Sequence, residues 1–304
     1  MEIRVLRYFL AVVTAGNITK AARQLHLTQP TLSRQLADLE AELGVQLFVR
    51  GHQQITLTSE GEYLRARASE LVDLAEQTTA NLQAGRAISG TLSIGAGESS
   101  GMARITRVIG ELQADHPDVR FNLISGNASE TEAALLHGTI DFAVIMGERP
   151  LQQYHTLQLP DRDRWGVVMK KDDPLTRQAA IPASALVDRP LIMSRQGMSS
   201  DHFLTWWGSD RERLKVIGTY SLVFNAQLLV SRGAGYLITY AGLLNNANQA
   251  ALTFRPLTPT LSEPITLIWK KNTVLSPVAR LFLRRLRQQI AHEKTGHQPE
   301  ADNR

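Results

Sequence analysis

The stretch best equipped for chemistry is TQPTLSRQLADLEAEL, residues 28–43. Around Pro30 it sets hydroxyls, carboxamides and one guanidinium: Thr28, Gln29, Thr31, Ser33, Arg34 and Gln35. Those groups bond phosphate oxygens and base edges in the major groove of duplex DNA. Thr28 is a suitable N-cap, and Pro30 falls in the first turn, where a missing N–H is tolerated. Leu32, Leu36, Leu39 and Leu43 recur at helical steps and predict one core-facing stripe, and Gly44 ends the helix. Alone, the stretch also reads as an amphipathic helix with a solvated first turn, so its neighbours must decide.

A second chemical candidate is Gly97-Glu98-Ser99-Ser100-Gly101, which fits the G-x-S-x-G pattern between a strand and a helix. A hydrolase would then need a later acid and a later histidine on a loop. His202 falls in a helical first turn and His292 near the end of the last helix, so no enzyme is expected, and the serines read as ligand-binding hydroxyls at a helix start. His137 and Asp141 are four apart, but Gly138 intervenes between a helix and a buried strand, so no metal site is expected. Gly95-Ala96-Gly97 lacks the third glycine of a dinucleotide loop, with Ser100 in its place, so no cofactor is expected.

Composition narrows the field further. The 304 residues allow two or three domains, and 43% hydrophobic with 20% charged residues is globular usage. There is no cysteine, which excludes disulfides, thiolate metal sites and cysteine nucleophiles. No apolar run approaches the ~20 residues of a membrane span, and MEIRVLRYFLAVVTAGN reads as an amphipathic helix rather than a signal peptide. A cytoplasmic protein with no membrane partner is therefore expected. The absent signal peptide also counts against an exported solute-binding protein. The net charge of +4 decides nothing by itself.

The elements that must position these groups follow in order. Residues 3–15 read as a helix with Leu6, Phe9, Leu10 and Val13 on one face, stopped at Gly16-Asn17. Residues 18–25 form a second short helix in which Ala21 and Ala22 permit close approach of another helix. With His26-Leu27 as the turn into residue 28, this is a helix-turn-helix pattern. VQLFVR and ITLT alternate on either side of residues 51–54, a hairpin where a winged variant has its wing. Ser59-Glu60-Gly61-Glu62 reads as a capping box opening a long helix. Leu64, Ala68, Leu71, Ala75, Thr78 and Leu82 then form a coiled-coil-like seam. Residues 84–90 read as a linker. Beyond residue 90, strands and helices alternate in the manner of an α/β fold with mainly parallel sheets, including a helix over residues 241–248. Residues 294–304 read as a disordered tail.

AARQLHLTQPTLSRQLADLEAELGVQLFVR followed by ITLTSEGEYL resembles the N-terminal domain of LysR-type transcriptional regulators, continuously over about residues 4–64. The wing departs from that family by offering only Arg50, His52, Gln53 and Gln54 where several basic residues are usual. Over residues 1–58, six basic and four acidic side chains leave a net of +2, so one head alone should bind DNA weakly and salt-sensitively. Fragments such as HPDV and GTIDFA extend the resemblance to the family's effector domain, which has the two-lobed fold of periplasmic solute-binding proteins.

The resemblance implies an α/β protein with a winged helix-turn-helix over residues 1–58 and a linker helix over 59–88. An effector domain would span residues 89–293, with lobe I near 89–160 and 263–293 and lobe II near 161–262. Chain crossings are expected near residues 159–162 and 261–263. It implies paired half-sites on double-stranded DNA, self-association as a homodimer or homotetramer through Leu64, Ala68, Leu71, Ala75 and Leu82, and RNA polymerase as a further partner. DNA contacts are expected from Lys20, Arg23, Thr28, Gln29, Pro30, Thr31, Ser33, Arg34, Gln35, Arg50 and His52. A small-molecule effector, by default an organic anion, is expected at Ser99, Ser100, Asn127, Gly147, Arg195, Met198, Ser199, Phe224 and Asn225.

Overall fold

The computed structural model describes residues 1–50, 55–83, 88–244 and 250–295. The chain divides into two compact units, Met1–Arg86 and Ala87–Arg304.

In the first unit, α1 (Ile3–Ala15) is followed by α2 (Ile18–Gln24) and α3 (Gln29–Leu43). Asn17 caps α2 by accepting from the Lys20 amide at 3.1 Å. His26 makes the turn between α2 and α3 with a left-handed backbone, φ 54°, while the Leu27 amide bonds back to the Ala22 carbonyl. The α3 stripe is buried at Leu32, Leu36 and Leu39, but Leu43 is exposed because Gly44 has already turned the chain away.

β1 (Phe48–Arg50) and β2 (Ile55–Leu57) form the antiparallel wing, Phe48 opposite Leu57. Phe48 meets Phe9 of α1 with ring centroids 5.3 Å apart. Glu40 ties α3 to the wing: one carboxylate oxygen accepts from the amides of Leu47 at 2.7 Å and Phe48 at 3.3 Å. The wing tip, residues 51–54, lies outside the described residues.

α4 (Ser59–Gln83) follows. Its cap is Thr58 rather than Ser59: the Thr58 hydroxyl accepts from the Gly61 amide at 3.0 Å and donates to the Gln46 carbonyl. Gly61 is required there, since a Cβ would stand 2.1 Å from the Leu47 carbonyl oxygen.

The expected seam on α4 needs correction. Leu64 and Ala68, with Val72, are buried in the core shared with α1, so they cannot also face a second chain. Leu71 and Leu74 are exposed and Ala75 is half-buried. A heptad-like count merged two stripes, one facing α1 and one facing outward, because both carry apolar side chains. The Leu82 side chain lies outside the described residues.

The second unit is a ten-stranded sheet with helices on it. β3 (Gly90–Ala96), α5 (Met102–Asp115), β4 (Val119–Ser125), α6 (Ala128–His137) and β5 (Phe142–Met146) build lobe I. β6 (Tyr154–Lys170) runs from that lobe into the other as one long strand. β7 (Ile181–Pro182), β8 (Pro190–Ser194), α7 (Asp201–Trp206), β9 (Lys215–Tyr220), α8 (Val223–Ser231), β10 (Tyr236–Tyr240) and β11 (Leu252–Thr258) build lobe II. β12 (Ser262–Lys270) returns along β6, and α9 (Pro277–Thr295) closes lobe I.

The order is β4-β3-β5-β12-β6-β10-β8-β9, with β11 on β6 and β7 on β11. Parallel pairing holds only on the flanks and at the short β7–β11 pair; the four ladders around β6 and β12 are antiparallel. β6 and β12 slip in register between Pro264 and Thr266, where β6 carries Pro160. Proline has no amide to give a ladder, so the irregularity falls where the chain crosses.

Separate cores fill the lobes. Phe142, Ile94 and Leu267 of the sheet pack with Phe282 of α9 in lobe I, and Trp207, Phe203, Val167 and Leu191 lie in lobe II. Each such large apolar side chain contributes about 1.5–3 kcal/mol on burial.

Two expectations fail in this unit. Residues 241–244 are not helical, and residues 245–249 lie outside the described residues. α9 runs to Thr295, two residues into the stretch read as tail, and Glu293 just before that stretch pairs with Arg104; residues 296–304 lie outside the described residues.

Candidate functional site

The first candidate is the exposed face of α2 and α3. Thr28 caps α3, its hydroxyl accepting from the Thr31 amide at 3.4 Å and lying 2.8 Å from the Thr31 hydroxyl. Gln29, Pro30, Thr31 and Arg34 are exposed, and Ser33 and Gln35 are half-buried on the flanks of the buried stripe. Lys20 and Arg23 of α2 are exposed too, and neither forms an ion pair among the described residues. Cations left unpaired beside a helix N-terminus favour an anion, and phosphate is the anion a duplex presents. Of the acids in this unit, Glu40 is committed to the Leu47 and Phe48 amides. Arg50 belongs to β1, but its side chain and His52 lie outside the described residues.

The second candidate is a cleft in the second unit where loops of both lobes meet. Its outer chamber, about 260 Å³, is lined by Asn127, Ala128 and Ser129 at the start of α6, by Arg149, and by Ser194, Arg195, Gln196, Ser199 and Ser221 of lobe II. Asn127 forms a capping box with Glu130, each accepting from the other's amide at 3.0 Å. The α6 macrodipole and the Arg195 guanidinium make this end electropositive. Arg149 pairs with Glu132, while Arg195 is exposed without an ion pair among the described residues.

An inner chamber of about 40 Å³ shares Asn127, Ser194, Gln196 and Ser221 with the outer one. It adds Glu98, Trp165, Tyr220, Val223, Thr239 and Tyr240, among others. The Glu98 carboxylate accepts from the Val223 amide, linking the loop after β3 to the start of α8 across the lobes. The Gln196 carboxamide reaches the Met146 carbonyl, a second bridge, at 3.5 Å.

Behind the inner chamber lies a buried acidic pair. Asp163 of β6 and Glu263 of β12 are directly opposite one another, and both are almost fully buried. One Asp163 oxygen accepts from the Ser100 amide at 3.2 Å and hydroxyl at 2.9 Å; the other has no partner. Burial pushes the Asp163 carboxyl above its ordinary value, against the pull of the Ser99 and Ser100 hydrogen bonds. Glu263 accepts from the Trp165 indole at 3.1 Å and faces the His202 ring at 3.3 Å. Tyr240 has its hydroxyl pushed well up, first by burial and then by the charges of Glu263 and Asp163.

Several expected ligand residues are therefore elsewhere. Ser99 is buried, its hydroxyl accepting from the Gly101 amide at 3.0 Å, and Ser100 is held by Asp163, so both serve the chain crossing rather than the cleft. A buried Ser99 also lacks the exposure a nucleophile elbow gives its serine. Gly147 makes a turn at φ 86° beside Glu263, its amide bonded to the Pro264 carbonyl. Phe224 is exposed on α8 and Met198 is exposed beyond the cleft lining. Asn225 lines a neighbouring, more apolar cavity between β9 and α8 with Ile217, Leu222 and Leu229, which shares Tyr220 and Ser221 with the inner chamber. The cleft does bring together Asn127, Arg195 and Ser199. From the sequence, Glu98 counts against an anionic effector but is not placed among the ligand contacts, and Ser221, which stands at a strand end where cleft residues gather, is not singled out.

Among the described residues, no cluster of three His, Asp or Glu side chains could hold a metal, and no helix is long and apolar enough to cross a membrane. The family model "LysR substrate binding domain" matches residues 85–291, and "Bacterial regulatory helix-turn-helix protein, lysR family" matches residues 3–62. The chain belongs to the LysR family of transcriptional regulators.

Among its LysR-family relatives is the Hca operon transcriptional activator HcaR of Escherichia coli, 28% identical over 297 residues, which cover 96% of this chain and 99% of that protein. The regulator BenM of Acinetobacter baylyi is 38% identical over 142 residues, 46% of each chain. A crystal structure of full-length CbnR complexed with its target DNA matches with TM-score 0.76 over 95% of this chain and 99% of that one, at 22% identity, which shows a shared fold. The family is one of DNA-binding regulators with an effector-binding domain, not of enzymes.

Proposed function

We propose that residues 1–58 are the DNA-reading head, residues 59–88 a linker helix for self-association, and residues 89–293 the effector domain, with lobe II spanning about 161–262. The observation that carries this reading is the exposed set of Lys20, Arg23 and Arg34 around the capped start of α3, none with an ion pair among the described residues. Gln29, Pro30, Thr31, Ser33, Arg34 and Gln35 would meet base edges; Lys20, Arg23, Thr28, Arg50 and His52 would meet phosphates. With so little net charge on one head, useful affinity needs two or more heads on paired half-sites. The outward stripe of Leu71 and Leu74 on α4 supports a second copy of this chain as the partner that links them. The likeness to a CbnR chain solved with its target DNA supports the same reading.

The effector would lie in the cleft, with a carboxylate at Arg195 and the start of α6. It would act by binding one assembly better than another, since a ligand shifts an equilibrium only through differential affinity. The protein would work in the cytoplasm and catalyse nothing, with RNA polymerase as a further partner.

The test is binding of the purified full chain to DNA from upstream of its own gene, as a salt series beside non-specific DNA. A footprint over two half-sites, with a steeper salt slope than the competitor, is the expected result. Equal, weak binding to every DNA tested, with no footprint, would count against the reading.

A further inference from the structure

The two chambers of the cleft are oppositely charged. The outer lining carries Arg149 and Arg195 and no carboxylate. The inner lining carries Glu98 and no basic residue. Between them runs a neutral polar waist of Asn127, Ser194, Gln196 and Ser221, common to both.

We propose that the effector is amphoteric, placing a carboxylate in the outer chamber and an ammonium group in the inner one, with Glu98 as the residue that selects for the ammonium. This rests on the reading that the cleft is the effector site.

Three observations favour a cation at the inner end. One Glu98 oxygen accepts from the Val223 amide, while the other has no partner among the described residues and belongs to a side chain that lines the chamber. An ordinary organic anion would leave that oxygen enclosed without a donor, whereas an ammonium N–H donates to it in a charge-assisted bond.

The walls are also aromatic: Trp165 and Tyr240 stand with ring centroids 4.2 Å apart, and Tyr220 joins them. Aromatic faces attract cations by their quadrupole. Behind these walls Glu263 holds the Trp165 indole, and Asp163 faces Glu263 across the strands. The inner volume of about 40 Å³ fits a headgroup the size of a water or an ammonium. The outer chamber, about 260 Å³, takes the rest of a small molecule.

The full-length protein is titrated with matched triplets, each an amino acid, its deaminated acid and its decarboxylated amine. Leucine, isocaproate and isoamylamine form one set; γ-aminobutyrate, butyrate and butylamine form another. Thermal shift and intrinsic tryptophan fluorescence are read on wild type, Glu98→Gln and Arg195→Ala. Glutamine keeps an oxygen for the Val223 amide while removing the charge.

An amino acid should bind wild type at least about tenfold more tightly than its own acid and amine. Glu98→Gln should erase the preference over the acid, and Arg195→Ala the preference over the amine. An acid that binds as well as its amino acid, weakened by Arg195→Ala and untouched by Glu98→Gln, overturns the proposal while leaving the cleft as effector site. Binding untouched by either substitution, or no binding by any triplet, counts against the cleft itself.

Discussion

The reading head and the cleft are built in opposite ways. In the head, every group proposed to meet DNA from α2 and α3 lies within residues 20–35, so local spacing alone settles which side chains share a face. In the cleft, Glu98 meets an amide 125 residues away and Gln196 reaches a carbonyl 50 residues away. A site on one helix is fixed by helical geometry, whereas a site at the ends of several strands is fixed by sheet order, which pairs distant segments.

Substitutions can sharpen or break that contrast, the largest effect first. Gly61→Ala should destabilise the head by about 3 kcal/mol, because the added Cβ meets the Leu47 carbonyl oxygen at 2.1 Å and backbone cannot move aside cheaply. Thermal unfolding of the full chain should show an early transition accompanied by loss of DNA binding, with the ligand-responsive transition unmoved. A single cooperative shift of the whole protein would show that the two units do not unfold independently.

Arg34→Ala comes next, with a loss of about 1–3 kcal/mol in site-specific DNA binding and no change in oligomeric state, read by gel shift and light scattering.

Asp141 tests the other unit. Its carboxylate accepts from the Ser93 amide at 2.8 Å, joining the start of β5 to β3, and burial raises its pKa to about 6. The folded state therefore holds the proton more tightly than the unfolded chain does. Stability from this group is full below pH ~4 and is lost as pH rises through about 6. Asp141→Asn should remove that fall and be more stable than wild type at neutral pH by roughly 1–2 kcal/mol. Parallel pH profiles for the two proteins would refute this assignment.

The smallest effect belongs to His26, whose φ of 54° glycine adopts without strain. His26→Gly should leave stability unchanged or raise it by up to about 1 kcal/mol in chemical denaturation. A clear loss would mean that the imidazole makes a contact outweighing the strain.

The same contrast explains what the sequence disclosed. α3, its Thr28 cap and its Gly44 stop follow from local residue chemistry. Leu64 and Ala68 misled because a leucine–alanine stripe suits a partner helix and the protein's own α1 equally well. Ser99 and Ser100 look like ligand hydroxyls until Asp163 is folded against them. The first half of β6 and the whole of β11 were hidden by Pro160 and Pro256, which read as strand breakers and instead sit where ladders are irregular or end. Glu98 shows in the sequence only as a charge that counts against an anionic effector, and its bond to the start of α8 comes from the fold.

The central claim is that DNA reading and effector sensing reside in separate side chains. The most direct test compares wild type, Arg34→Ala and Arg195→Ala for affinity to the upstream DNA and to non-specific DNA across a salt series, without added ligand. Arg34→Ala should bind the upstream DNA at least about tenfold more weakly, with its preference over non-specific DNA reduced, while Arg195→Ala matches wild type. Wild-type affinity and preference in Arg34→Ala, or a comparable loss in Arg195→Ala, would contradict the account.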